Sequence, residues 1–148
     1  MSESTNKAAR ERLEALVGEW TMAAGPPGGP PWPSAGRVTF EWLEGAPLLI
    51  QRWHVDMPEA PGGVAVIGCD GMSGIYYQLY TDERDVQRIY EMSLIDGVWK
   101  LWRDGEPFSQ RFTGKLSKDR KTITGRWEIA DDAKTWRIYF ELTYTKVQ

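Results

Sequence analysis

Apolar and polar side chains alternate along most of this chain, and short turn signals interrupt the alternation. Val38, Phe40 and Trp42 share one face of a predicted strand, because alternate residues of a strand point to the same side. The same pattern predicts further strands at 19–23, 48–56, 64–70, 75–81, 86–94, 98–103, 108–116, 122–129 and 135–146. Since most of the connections are tight turns, consecutive strands are expected to pair antiparallel.

An open sheet of about ten strands would expose two edges, and closing the sheet into a cylinder removes both. We therefore predict an all-β fold, a single closed antiparallel up-and-down β-barrel of about ten strands. A chain of 148 residues suits one such domain, spanning 1–148. At about eight to ten strands, a barrel can hold its own side chains plus one small molecule.

The N-terminal segment 1–17 is expected to contain a short helix that covers one barrel end. Helix-favouring residues extend over 4–17, and Leu13, Leu16 and Val17 form a narrow apolar stripe. Gly18 then ends the helix before the first strand. Residues 24–35 are rich in proline and glycine and predict a loop, because proline removes strand hydrogen-bond donors.

Composition excludes several classes of function. The chain has 18 Lys and Arg against 21 Asp and Glu, scattered along its length, so no basic face is expected to attract nucleic acid. No apolar run is long enough to span a bilayer. The single cysteine, Cys69, has no internal disulfide partner, and the first twenty residues lack the apolar core of a signal peptide, so a cytoplasmic location is expected. Oligomeric state is left open.

Three apolar strand faces carry a polar interruption: Gln51, Arg88 and Gln110. If these faces point inward, each polar group needs a partner, because an unpaired buried amide or guanidinium is costly. That partner would be a ligand, water or another of the three; with inverted faces, all three would lie in solvent. Arg88 and Tyr90 together would suit a carboxylate or a carbonyl. The expected ligand-binding residues are Gln51, Trp53, Arg88, Tyr90, Met92, Gln110 and Phe112.

The order of several short motifs resembles that of the calycins, the superfamily of lipocalins and fatty-acid-binding proteins, and within it the bacterial lipocalin-like family DUF1579. The motifs are LEALVGEW at 13–20, FEWLEG at 40–45, IGCD at 67–70 and LTYTKV at 142–147. The resemblance implies that Trp20 packs across the closed barrel end under Lys146. The family usually has arginine at that position, so a weaker cation–π contact is expected here.

Two further resemblances concern possible ligand groups. Arg137 and Tyr139 resemble the R-x-Y pair with which fatty-acid-binding proteins hold a carboxylate, but the apolar alternation from Trp136 to Tyr144, which includes Ile138, is expected to turn both outward. The chain more distantly resembles nitrobindin-type haem barrels, which ligate iron through one histidine. His54 is the sole histidine and hence the sole candidate ligand, although a surface position beside Arg52 is the simpler interpretation.

Further candidate groups lack a complete motif. For a nucleophile and base formed by Cys69 and His54, no Asn or Asp is placed by a motif to orient the imidazole, and one thiol with one imidazole is too few ligands for zinc. The charged residues at 82–85 and 131–132 are expected to be solvated hairpin tips. Trp32, in its Pro/Gly-rich loop, is expected either to act as a lid over the barrel mouth or to anchor the loop on the outer wall.

The leading hypothesis is therefore binding of a small, largely apolar or amphipathic molecule inside the barrel, without a cofactor. A second hypothesis is an enzyme on the same scaffold, such as an isomerase, cyclase or hydrolase that uses Arg88, Tyr90 or a carboxylate as acid or base. A third is a haem protein ligated by His54, and a fourth is a solid barrel whose role is assembly.

Overall fold

In the described residues, ten strands and one helix form from the segments with the corresponding side-chain periodicity. The computed structural model describes residues 2–32, 36–56, 61–105, 107–132 and 134–147, and the side chains from residue 7 onward. The elements are α1 (Ser2–Leu13), β1 (Gly18–Gly25), β2 (Gly36–Trp42), β3 (Leu49–Val55), β4 (Gly63–Cys69), β5 (Tyr76–Asp82), β6 (Gln87–Ile95), β7 (Val98–Arg103), β8 (Ser109–Leu116), β9 (Thr122–Ala130) and β10 (Arg137–Lys146).

The strands form a closed barrel in which each strand pairs antiparallel with its neighbours in sequence. Pairing of β1 with β10 closes the cylinder, with Trp20 opposite Lys146 and Ala24 opposite Leu142. The predicted ten-stranded up-and-down barrel with a short N-terminal helix is confirmed. Most strand bounds agree with the sequence prediction within one or two residues, because turn residues stand at nearly every boundary.

Helix α1 covers one end of the barrel. Ala9, Leu13 and Leu16 are buried, and the Tyr76 hydroxyl at the start of β5 donates to the Ala9 carbonyl at 2.6 Å. The helix ends at Leu13 rather than at Val17 as predicted, because the next four residues tighten into turns in which each N–H bonds the carbonyl three residues earlier. This helix is too short to span a membrane, and no other helix occurs in the described ranges.

The two barrel ends differ because the chain alternates direction. Connections β2–β3, β4–β5, β6–β7 and β8–β9 lie at the helix-covered end. Connections β1–β2, β3–β4, β5–β6, β7–β8 and β9–β10 lie at the opposite end, which we call the mouth. The predicted loop at 24–35 belongs to the mouth, but β1 extends through Gly25, and residues 33–35 of that prediction lie outside the described residues.

A β-bulge in β10 corrects one sequence prediction. Ile138 pairs with Glu128 and Phe140 pairs with Trp127, so Tyr139 is the extra residue and the alternation shifts at this point. Ile138, predicted to face the interior, is exposed, whereas Phe140 and Leu142 continue the inward face. Tyr139, predicted to point outward, is 55% exposed but contributes to the wall of the interior space at the mouth.

Candidate functional site

A cavity of about 560 Å³ occupies the mouth half of the barrel. Pro61 and Arg84 come from mouth connections, whereas the fully buried Phe112 and Trp99 lie in the barrel core. The aromatic share of the wall is large: Trp32, Trp53, Tyr80, Tyr90, Trp99, Phe112, Trp127, Tyr139, Phe140 and Tyr144. The interior is therefore hollow, as the ligand-binding hypothesis requires, and most of its surface is apolar.

Five polar side chains form a belt inside the cavity, which we call the polar belt: Gln51, Gln78, Arg88, Tyr90 and Gln110. Gln78 donates to the Gln51 amide oxygen at 3.2 Å. The Tyr90 hydroxyl and an Arg88 guanidinium nitrogen both donate to the Gln110 amide oxygen, at 2.8 and 3.1 Å. Gln78 also lies directly opposite Tyr90 in the β5–β6 pairing, so the two hydrogen-bonded groups are neighbours.

Arg88 is the exceptional member of the polar belt because its charge is unmatched. Among the described residues, no carboxylate forms an ion pair with it. The guanidinium is half-buried and lies 5.5 Å from the centre of the Phe108 ring. A half-buried cation that is held only by an amide oxygen and an aromatic face can still accept an anion.

A second polar group, Tyr80 with Asp82 and Arg84, lies at the rim of the cavity, and we call it the rim triad. The Asp82 carboxylate is fully buried and accepts hydrogen bonds from the Tyr80 hydroxyl at 2.7 Å and from Arg84 Nη2 at 2.7 Å. Burial raises the pKa of Asp82, but the hydrogen bonds from Arg84 and Tyr80 outweigh it and lower that pKa to about 2. Arg84, unlike Arg88, therefore has its charge neutralised. The prediction that 82–85 is entirely solvated is wrong at Asp82.

Three buried or half-buried tyrosines of the cavity, Tyr80, Tyr90 and Tyr144, have raised pKa values and act as hydrogen-bond donors. Burial raises the pKa of Tyr90, although the nearby Arg88 acts in the opposite direction. Burial, followed by the bond to Asp82, raises the pKa of Tyr80 far above its ordinary value. Tyr144 is buried, and burial raises its pKa likewise. The cavity thus offers phenol hydroxyls and the Arg88 cation, while the Asp82 carboxylate at its rim is already bonded to Arg84.

The structure brings most of the predicted ligand-binding residues to one cavity. Gln51, Trp53, Arg88, Tyr90, Gln110 and Phe112 all line it. Trp53 stacks on Tyr80 with ring centres 5.3 Å apart. Met92 does not line the cavity but is buried in the core, because it lies two residues after Tyr90 on β6, closer to the helix-covered end.

The remaining candidate residues occupy distinct places. Lys146 Nζ lies 5.2 Å from the centre of the Trp20 ring, the arrangement that the resemblance implied. Trp32 lies at the mouth, is 46% exposed and has its ring centre 6.1 Å from that of Phe140. His54 is exposed on the outer wall of β3 and is not part of the cavity lining. An iron inside the barrel would therefore not have this imidazole as its ligand.

Sequence reasoning missed several cavity residues. Gln78 interrupts the apolar face formed by Tyr76 and Tyr80, so the criterion applied to Gln51 would also have found it. Arg84 belongs to a turn, where periodicity carries no information about direction. Within the described ranges, no group of three or more His, Cys, Asp or Glu side chains could hold a metal ion.

Comparison with known proteins supports the fold. No protein-family model matches the chain, and no curated protein does so. Among solved structures, the chain is similar to Rv2717c from M. tuberculosis, with a TM-score of 0.65 and 11% sequence identity over 95% of this chain and 98% of that one. At this level of identity the likeness concerns the barrel fold alone.

Proposed function

We propose that this protein is a calycin-like binding protein that holds one small, largely apolar molecule in the mouth half of its barrel. The hollow interior of about 560 Å³ carries this proposal, because a barrel with a purely structural role would fill its lumen with side chains. The volume lies within the range of about 300–1,000 Å³ that is typical of small-molecule sites. The bacterial lipocalin-like resemblance and the cytoplasmic location expected from the sequence are part of the same proposal.

The composition of the wall supports an apolar ligand with a polar end. Aromatic rings such as Trp53, Trp127 and Phe140 offer a large apolar contact surface, and burying such surface contributes about 25 cal/mol per Å². The polar belt occupies a restricted part of the wall and can orient the ligand, while the remaining contacts exclude water.

The enzymatic hypothesis has less support from three titratable groups in the cavity wall and at its rim. The pKa of Asp82 is lowered to about 2, while those of Tyr80 and Tyr90 are raised. General acid–base catalysis is most efficient when the pKa of the group lies near the working pH. None of these three groups meets that condition, so binding is the function that the cavity supports best.

Two adjacent alanines in β1 allow a matched test of the site. Ala24 lines the cavity, whereas Ala23 is the preceding residue and points to the other side of the strand. The neutral fluorophore N-phenyl-1-naphthylamine is titrated into protein that has been freed of bound lipid by organic extraction and refolding. We expect saturable binding to the wild type, loss of binding in Ala24→Trp and near-normal binding in Ala23→Trp.

Equal binding by the two tryptophan variants would place the probe elsewhere and refute the cavity as the binding site. Native mass spectrometry of protein purified without extraction supplies an independent measurement. A bound molecule that is present in the wild type and absent from Ala24→Trp would support the proposal.

A further inference from the structure

Resting on the proposed function, we infer that the natural ligand is an anionic amphipath whose carboxylate binds at Arg88 and takes the place of the Gln110 amide oxygen. The apolar part of the ligand then lies among the aromatic rings of the cavity. Two arginines, Arg84 and Arg88, line this cavity, and only one of them has a carboxylate partner among the described residues.

Arg84 and Arg88 stand four residues apart on one hairpin but have opposite electrostatic situations. Arg84 is paired with the buried Asp82 through contacts at 2.7 and 3.2 Å, so its positive charge is already matched. Arg88 donates to the amide oxygen of Gln110 and faces the ring of Phe108. No carboxylate within the described part of the chain pairs with it. The cavity therefore carries an unmatched positive charge at one defined point.

The hydrogen bonds around Gln110 show how an anion would be accommodated. The Gln110 amide oxygen accepts from both Tyr90 and Arg88, so the two donors already converge on one acceptor position. A carboxylate oxygen at that position would receive the same two donors and would add a full negative charge next to the guanidinium. Hydrogen bonds between charged partners are stronger than those to a neutral amide, so exchanging the acceptor favours the anion.

The environment of this point favours a carboxylate over a doubly charged head group such as a phosphate monoester. Among the described residues that line the cavity, Arg88 is the one with an unmatched guanidinium, since Asp82 neutralises Arg84. Tyr90 is buried and its hydroxyl donates to the shared acceptor, as a single carboxylate oxygen would require. A monoanion with an apolar body therefore matches both the charge and the wall of the cavity.

The test compares two probes of nearly identical shape, 4-(1-pyrenyl)butanoic acid and its methyl ester, by fluorescence titration at low and at physiological salt. In the wild type we expect the acid to bind at least about tenfold more tightly than the ester. In Arg88→Gln this preference should disappear while binding of the ester remains, and Arg88→Lys should retain part of it. Arg137→Gln removes the same charge from an exposed residue that is not part of the cavity lining, and it should leave the preference unchanged.

Gln110→Leu should not abolish the preference for the acid, in contrast to Arg88→Gln. It removes the internal acceptor, so Tyr90 and Arg88 are left to the ligand, and the preference for the acid should be equal to or greater than that of the wild type. Loss of the preference in this variant would assign the head group to the Gln110 amide and overturn the inference.

Equal affinity of the wild type for acid and ester would also overturn the inference, while leaving the cavity as an apolar binding site. If the neutral N-phenyl-1-naphthylamine also fails to bind, or binds Ala24→Trp normally, the proposed function itself fails. The two failures are therefore distinguishable, and the comparison within the wild type does not depend on any variant folding.

Discussion

The ammonium nitrogen of Lys146 lies 5.2 Å from the centre of the Trp20 ring, and the two residues are direct cross-strand partners between β1 and β10. Trp20 is completely buried and donates its indole N–H to the Leu16 carbonyl at 2.9 Å. This one side chain therefore joins the turns that follow α1, the first strand and the last strand at the closed end of the barrel.

Loss of the Lys146 cation should destabilise the closed end. Lys146→Met keeps the apolar stem and removes the charge, so we expect it to lower the free energy of unfolding by about 0.5–2 kcal/mol, the range of cation–π contacts. Lys146→Arg should be at least as stable as the wild type, because a planar guanidinium can stack on the indole. Urea denaturation followed by tryptophan fluorescence measures both variants. If Lys146→Met is as stable as the wild type, the cation–π contact between Lys146 and Trp20 does not contribute to stability.

Gly18 should resist substitution for two separate reasons. Its φ of +132° is unfavourable for any residue with a side chain, and a Cβ at this position would lie 3.1 Å from Lys146 Cε. We expect Gly18→Ala to lose about 1–3 kcal/mol of unfolding free energy. Gly45 is a useful control, because its φ of +83° is also positive but no atom lies within 4 Å of the added Cβ. The contact with Lys146 is tested by making Gly18→Ala in a Lys146→Ala protein. If Gly18→Ala lowers the free energy of unfolding there as much as in the wild type, backbone strain alone accounts for the loss.

Asp82 should make stability depend on pH in the acidic range. Its pKa is about 2 in the folded protein against an ordinary value of 3.8, so the ionised carboxylate favours the folded state above about pH 4. That contribution, about 2 kcal/mol, should be lost as the pH falls towards 2. Asp82→Asn should therefore be less stable than the wild type at pH 7, and the difference should shrink on acidification. Asp131→Asn, at an exposed carboxylate, is the control, and a difference for Asp82→Asn that does not vary with pH would refute this role.

Trp32 should act as a lid if its ring limits passage through the mouth. We expect Trp32→Ala to increase the dissociation rate of N-phenyl-1-naphthylamine about tenfold, since the contact between Trp32 and Phe140 would no longer close the opening. Stopped-flow fluorescence measures this rate. Leu43→Ala changes a residue of similar exposure, 43% against 46%, outside the cavity lining and close to the helix-covered end, and it should leave the rate unchanged. Equal rates in the wild type and Trp32→Ala would favour the interpretation in which Trp32 only anchors its loop.

His54 should have no effect on haem binding. Its exposed position on the outer wall separates it from the cavity, so any absorbance change on adding haemin should be the same in the wild type and in His54→Ala. A Soret shift that requires His54 would contradict the position of this side chain and would revive the haem hypothesis.

The alternation of side chains was sufficient to predict the barrel. Gln51, Arg88 and Gln110 lie on the strand faces that the alternation predicted to point inward, and all three line the cavity. A strand with one buried face has little freedom to invert. The alternation could not predict two local features. The bulge at Tyr139 shifts the alternation without any proline or glycine to signal it, and the turn at 82–85 buries one carboxylate through contacts with its own neighbours.

The amino-acid sequence by itself determined the antiparallel meander and the inward faces of most strands, because periodicity and turn chemistry are local properties. It also implied closure, because an open sheet of ten strands would leave two exposed edges. Tertiary structure decided that the lumen is hollow, that Tyr90 and Arg88 converge on Gln110, and that Asp82 neutralises Arg84 but not Arg88. These relationships join residues on different strands, and they depend on the stagger of the barrel and on how completely large side chains fill its interior.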